Sequence, residues 1–403
     1  MPGNSVKFTS LAVLGAAVSA TASAAPVETR PPNAPHQQPA FQGQTRAPMS
    51  AQQTPVNVST AVDGLRGGWA FEFLPDGRMI VTEKEGRMRL VRDGRAGEPI
   101  AGVPKVDSRG QGGLLDVALS PDFARDRMVY WAYSEPREGG NATSVARGRL
   151  VEDGDKARLD GVQVIFRQTP VYDGEKHFGS RLIFNPDGTL FVTVGERSDV
   201  GPREQSQDLR SGLGKVFRIN RDGGVPDGNP FAGRGDARPE IWSYGHRNMQ
   251  SAVLDGQNRL WVVDHGPRGG DELNRPEAGK NYGWPVITYG IEYSGDKVGQ
   301  GITQKEGMVQ PVYYWDPVIG PSGMEFYRGS LFPNWQGAFL VGGLATQNLV
   351  VLKMDGDRVA TEEWIPLNAR IRDVKTGPDG AVYALTESSE REQSRIFRLS
   401  PRS

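Results

Sequence analysis

Short runs of alternating or continuous apolar residues recur along the chain, each led by a Pro-Asp or Asp-Gly turn. Pro75-Asp76-Gly77 precedes RMIVTEK, Pro121-Asp122 precedes RMVYWAYSE, and Pro186-Asp187-Gly188 precedes TLFVTVGER. Asp255-Gly256 leads QNRLWVVDHG, and Pro378-Asp379-Gly380 leads AVYALTE. Proline presets φ for a turn and glycine accepts φ > 0, so each unit predicts a β-hairpin. Several are followed by a partner run: RMRLVRDG, KVFRINRDG, LVVLKMDG and RIFRLSP. The spacing is uneven, and one repeat is missing or disguised before the last. No stretch carries the apolar period of a long amphipathic helix. Repeated antiparallel hairpins imply radial repetition, an all-β propeller of four-stranded antiparallel blades. The ~350 residues that carry the pattern, at roughly 45–60 per blade, give six to eight blades. A β-sandwich would be overfilled by so many strands.

The pattern starts only near residue 55, so the folded domain is expected over 55–403. Residues 25–54 are rich in Pro, Gln and Ala (RPPNAPHQQPAFQGQTRAP) and lack any apolar period. They read as a flexible linker, unable to bury enough surface to offset the entropy of ordering. Ahead of it, Lys7, a mildly apolar run from Phe8 to Val18, and Ala22-Ser23-Ala24 read as a signal peptide over 1–24. That run is too short to span a bilayer, so no integral membrane segment is expected and the location should be periplasmic or secreted.

Composition then removes whole chemistries. The absence of cysteine excludes disulfides, thiolate catalysis and Cys-ligated metals. Lys+Arg total 47 against 48 Asp+Glu, which gives no electrostatic reason to expect nucleic acid or an anionic membrane as partner.

The side chains left for chemistry are few. Of four histidines, His36 falls in the linker, and His177, His246 and His265 fall in Gly-rich segments between strands, where a side chain can face a cleft. Tyr244-Gly245-His246-Arg247-Asn248 sets a guanidinium beside an amide. Arg370 and Arg372 are two apart, so an extended segment points both to one face. Paired guanidiniums suit the carboxylates of a small acidic ligand, although a solvated strand edge would look the same in sequence. Asp264 to Asn274 (DHGPRGGDELN) offers turn carbonyls and carboxylates, hard oxygen donors that favour calcium, without the spacing of an EF-hand loop.

Taken in order, QGGLLDVALSPDF, HFGSRLIFNPDGTLFVTVGER, YGHRNMQ, HGPRGGDELNRPEAGKNYGWP, PSGMEFY and RIRDV resemble the soluble PQQ-dependent aldose sugar dehydrogenase family, a six-bladed propeller group. The resemblance runs from about Gly64 to Pro401. It implies pyrroloquinoline quinone (PQQ) and Ca2+ as cofactors, an aldose as substrate, the lactone as product and an external electron acceptor. His177 matches the general base, and Gln111 the glutamine that contacts the quinone. Arg247 and Asn248 match the pair that grips the cofactor, and Arg370 and Arg372 its arginine clamp. Pro321-Ser322-Gly323 and Gly343-Leu344-Ala345 match stretches that touch it. The carbonyls of Gly266 and Pro267 match ligands of the calcium on the quinone, and Glu272 with Tyr282 a second calcium position. A monomer is the expected state.

Two positions depart from that pattern. Ala345 stands where some relatives carry lysine, and Lys176 where relatives often carry an acid, which bears on cofactor affinity and substrate range. Two other readings compete: a calcium-dependent propeller lactonase, which needs no arginine clamp, and a binding propeller without catalysis.

Overall fold

The computed structural model describes Met1, Gly3, residues 24–387 and residues 394–402. The expected leader over 1–24 thus lies almost wholly outside the described residues. Twenty-four strands form six four-stranded antiparallel sheets, arranged as a six-bladed propeller. The first strand of each blade faces the axis: Gly68–Phe73, Leu114–Leu119, Leu182–Phe184, Met249–Leu254, Pro321–Phe326 and Arg370–Thr376. These six touch neighbour to neighbour in a closed ring. The ring is fastened by the chain ends, because Val56–Leu65 supplies the outer strand of blade 6 and pairs antiparallel with Ser394–Pro401. Closure in this way ties the N-terminal and C-terminal strands into one blade.

Each recurring turn joins the first and second strands of a blade. Gly77, Gly188 and Gly380 adopt φ of +85, +83 and +77, and each donates its N–H back across the turn. The missing repeat is blade 5. There the first two strands are joined by a loop containing the short 3-10 helix Pro333–Trp335, whose Trp335 is buried against Phe332 and Tyr327. Uneven spacing has two further causes. Blade 2 has long strands, such as Gly140–Asp153, and blade 4 makes an excursion between Asp271–Asn274 and Tyr313–Trp315. Between the blades, the cores bury Trp69, Trp131 and Trp261 among aliphatic side chains, each Val, Leu or Ile worth roughly 1.5–3 kcal/mol of burial.

The expected flexible linker is corrected by the contacts it makes. Residues 24–54 form a strap along blades 4 and 5, with single bridges from Thr45 to Tyr314 and from Met49 to Glu362. Asn33 and Ala34 donate their backbone N–H groups to the Asp316 carboxylate at 2.8 Å each. Gln44 is fully buried and donates to the Pro311 carbonyl, and Arg46 reaches the carbonyls of Glu28, Arg30 and Asp316. Polar residues order this segment through fixed partners on the blades, a source of order that apolar periodicity does not reveal. Among the described residues, no helix is long and apolar enough to cross a membrane.

Candidate active site

In a propeller, the loops that enter first strands and those that leave second strands emerge at the same end of the axis. That rule brings distant segments together here. Gln111, His177, Arg247, Asn248 and Gly320 come just before first strands, and Arg370 and Arg372 sit at the start of one. Lys84, His265, Gly266, Leu344 and Ala345 follow second strands, and Glu387 ends one. All of them line one cavity of about 280 Å³, floored by Trp69 and Gln250.

His177 is 5% exposed and has φ +52. Ser180, Arg197 and Ser198 also have positive φ, so strained backbone concentrates beside this histidine. Gln111 accepts the His177 backbone N–H at 2.9 Å, and Arg197 holds the carbonyl of Lys176 at 3.0 Å. The ring nitrogen Nδ1 lies 2.8 Å from Glu196 Oε2. Burial pushes the Glu196 carboxyl up, but His177, Arg247 and the Ser198 N–H together hold it below its ordinary value. An ionised carboxylate can only accept, so Nδ1 carries the hydrogen and Nε2 is left for proton transfer. Burial lowers the His177 pKa below the ordinary histidine value. Arg247 pushes the same way, and Glu196 opposes it.

The wall is cationic. Among the described residues, Lys84, Arg247, Arg370 and Arg372 face the cavity, and Glu387 is the carboxylate that lines it. Arg370 and Arg372 both reach Glu387, at 3.3 and 2.5 Å, so their predicted shared face is observed. Arg372 also donates to Gln250 Oε1 at 2.8 Å and to Ser322 Oγ at 3.2 Å. The Nε atoms of Arg247 and Arg372, and Nε2 of His265, are buried without a hydrogen-bond partner. Guanidiniums with unspent donors fit a polyanionic ligand of PQQ's kind. The fit to calcium is looser. The Gly266 carbonyl lines the cavity and accepts Arg247 Nη1 at 2.8 Å, but no cluster of three His, Asp or Glu among the described residues could hold a metal. A cation here would rely on carbonyls and on oxygens of the bound ligand.

Other expected site residues lie around the cavity without lining it. Ser322 is fully buried and donates to the Arg372 carbonyl at 2.6 Å, so it supports the clamp from behind. Gly323 presses on Asp373, where a Cβ would come within 2.4 Å of the Asp373 Cα. Pro321, Gly343 and Pro267 are likewise buried outside the lining, and Gly320 takes the place expected of Pro321. Glu272 sits near Asp264, which raises its pKa after burial does, to about 8. Tyr282 stacks on His246, itself 3.6 Å from Asp264, and no hydrogen bond joins Glu272 to Tyr282. His246 is a core residue bonded to Ser243 Oγ at 2.9 Å, which corrects its reading as a cleft histidine. Lys176 is exposed outside the lining, while Ala345 lines it.

His265, expected to be able to face a cleft, does line the cavity, whereas sequence reasoning missed Lys84, Glu196 and Glu387. Glu387 ends the second strand of blade 6 (VYALTE), and Glu196 follows that of blade 3 by two residues (FVTVGE), a repeated placement near second-strand ends that was legible in principle. A larger groove of about 690 Å³ lies between blades 3 and 4. It is built on first-to-second-strand turns, at the other end of the axis, and its Arg218 and Arg275 are paired with Asp187 and Asp357.

The fold and site together define a six-bladed propeller with a cationic axial cavity around a carboxylate-oriented histidine. Residues 65–398 match the glucose/sorbosone dehydrogenase family profile, and the chain belongs to that family. It is 43% identical to the aldose sugar dehydrogenase YliI of Escherichia coli K12, over 86% of this chain and 93% of that one. The apo-form structure of the soluble aldose sugar dehydrogenase from E. coli superposes with a TM-score of 0.81, at 43% identity, covering 86% of this chain and all of that one. The PQQ-bound aldose sugar dehydrogenase of Streptomyces coelicolor gives a TM-score of 0.69 at 27% identity, covering 87% and 100%.

The carboxylate behind His177 leads to a prediction. To serve as a general base the imidazole must be neutral, and its lowered pKa would then place the acid limb of kcat/KM below about pH 6.5. Glu196→Gln keeps an acceptor for Nδ1 but removes the charge that favours imidazolium. The limb should move further down in pH, and plateau turnover should fall by roughly 10²-fold. A pH–rate profile with an unmoved limb and unchanged plateau would refute this role for Glu196.

Proposed function

We propose that this chain oxidises aldose sugars at C1 to the lactone, with PQQ and calcium bound in the axial cavity, and passes the electrons to an external acceptor. The observation that carries the reading is the gathering of four cationic side chains around one oriented histidine. PQQ bears three carboxylates, which a neutral cavity would not hold. Arg247, Arg370, Arg372 and Lys84 would balance them, with Gln111 and Asn248 as polar contacts. The Gly266 carbonyl would contribute to the calcium. When bound, PQQ with calcium as Lewis acid supplies the hydride acceptor.

The rest of the work falls to the protein. His177 Nε2 takes the proton of the sugar C1 hydroxyl as the C1 hydrogen departs as hydride. Glu196 steadies the imidazolium that results, and Gln111 and Arg197 fix the backbone that aims the ring. The signal peptide expected at the N-terminus supports export, with cofactor loading outside the cytoplasm.

The test is to mix purified protein with PQQ and Ca2+, then with glucose and an electron-accepting dye. Dye reduction that requires both additions is expected. Lactone hydrolysis without PQQ, and no dye reduction with it, would replace this reading with the hydrolase.

A further inference from the structure

The cavity has one wall that neither the base nor the cationic clamp explains. Tyr293 lines it and is 69% exposed, the one exposed aromatic among the large apolar side chains of the described residues. A bare tyrosine ring on a turn is ordinarily incidental surface. Here it stands at the mouth of the cavity that holds His177 and the guanidiniums, on an anchored turn.

The turn is built rigidly. Gly295 donates its N–H to the Glu292 carbonyl at 2.9 Å, which places Tyr293 at the apex, and the Glu292 N–H returns to Asp296 at 2.8 Å. Arg268 and Ile291 exchange backbone hydrogen bonds at 3.0 Å each, tying the turn to the loop that carries Gly266. Gly290 packs so closely on that loop that a Cβ would fall 2.4 Å from the Gly269 carbonyl oxygen. Arg203 closes the far side with an ion pair to Glu292 at 2.8 Å. The backbone that carries the ring is therefore fixed, so little main-chain ordering entropy is lost when something stacks on it.

We propose that Tyr293 is the sugar-binding platform at the mouth of this cavity, its ring face taking the apolar C–H face of the substrate pyranose. This rests on the sugar-oxidising reading above and deepens it. The inner cavity is charged and polar, suited to the cofactor, and offers a sugar no aromatic face except Trp69 on its floor. A sugar ring carries polar groups at its edge and C–H bonds on its faces, so an aromatic plane at the rim supplies the missing complement. Tyr293 touches neither the reacting hydroxyl nor its proton and so acts through binding.

The experiment compares wild type with Tyr293→Ala and Tyr293→Phe. Tyr293→Ala should raise KM for glucose roughly 2–10-fold with kcat within about two-fold, and Tyr293→Phe should stay near wild type. Calorimetric titration of the PQQ- and calcium-loaded proteins with 1,5-anhydroglucitol, which has no C1 hydroxyl to oxidise, should show the same loss without turnover. PQQ affinity should be unchanged. Equal anhydroglucitol affinity and KM in wild type and Tyr293→Ala would overturn the proposal. So would an equal loss of PQQ affinity, which would place the ring in the cofactor site. Failure of the wild-type chain itself to take up PQQ would instead sink the parent reading.

Discussion

His177→Ala should reduce turnover of the PQQ- and calcium-loaded protein by roughly 10²–10⁴-fold while PQQ affinity stays within a few-fold of the parent. The expected split follows from where the ring's bonds go. Nδ1 is spent on Glu196 and the backbone N–H on Gln111, so the side chain holds no other lining residue in place. The clamp stands independently, anchored through Glu387, Gln250 and Ser322. Removing the imidazole would therefore remove the proposed proton acceptor and leave the cationic wall intact. Single-turnover kinetics with glucose, beside a PQQ titration of the same variant, separate the two effects. Parent-like turnover in that variant would show that another group is the base.

The largest effect on stability should come from Arg181→Met, at roughly 3–5 kcal/mol of unfolding free energy. Arg181 lies 4% exposed on the axis beneath the site and is the point where five blades meet. Its guanidinium pairs with Asp116 of blade 2 at 2.9 Å and Asp373 of blade 6 at 3.0 Å. It also donates to the Gln250 carbonyl of blade 4 at 2.7 Å and the Arg372 carbonyl at 3.1 Å, and lies over the Trp69 ring of blade 1. Methionine fills similar volume but leaves two buried carboxylates without their shared cation. The cost is that of uncompensated charge, which burial has already made evident in the raised pKa of Asp116. Urea unfolding followed by tryptophan fluorescence reads the change. A loss below about 1 kcal/mol would mean that Lys375 or water compensates for the missing guanidinium.

How much of this was legible in the sequence differs by level. The blades were legible because a Pro-Asp or Asp-Gly turn leading a short apolar strand is a local signal, and five of the six first hairpins carry one. Blade 5 was hidden because its connection packs Trp335 into the core and needs no such turn. The strap over 24–54 was misread because its order comes from Gln44, Arg46 and Asp316, which act through polar hydrogen bonds rather than apolar burial. At the site, motif strings pointed to His177, Arg247, Arg370 and Arg372, and the cavity contains all four. Ser322 and Gly323 lie behind it, since a string marks a neighbourhood and cannot tell lining from support. Lys84, Glu387 and Tyr293 come from strand ends and an excursion whose meeting point depends on the closed ring.

Glucose added to the PQQ- and calcium-loaded protein, with no dye present and the cofactor's absorption spectrum recorded before and after, tests the central assignment most directly. Reduction of one PQQ per chain by glucose is expected, and no PQQ retention when Arg247, Arg370 and Arg372 are all replaced by methionine. A spectrum that sugar leaves unchanged although PQQ is bound, or full retention of PQQ by the triple variant, would contradict it.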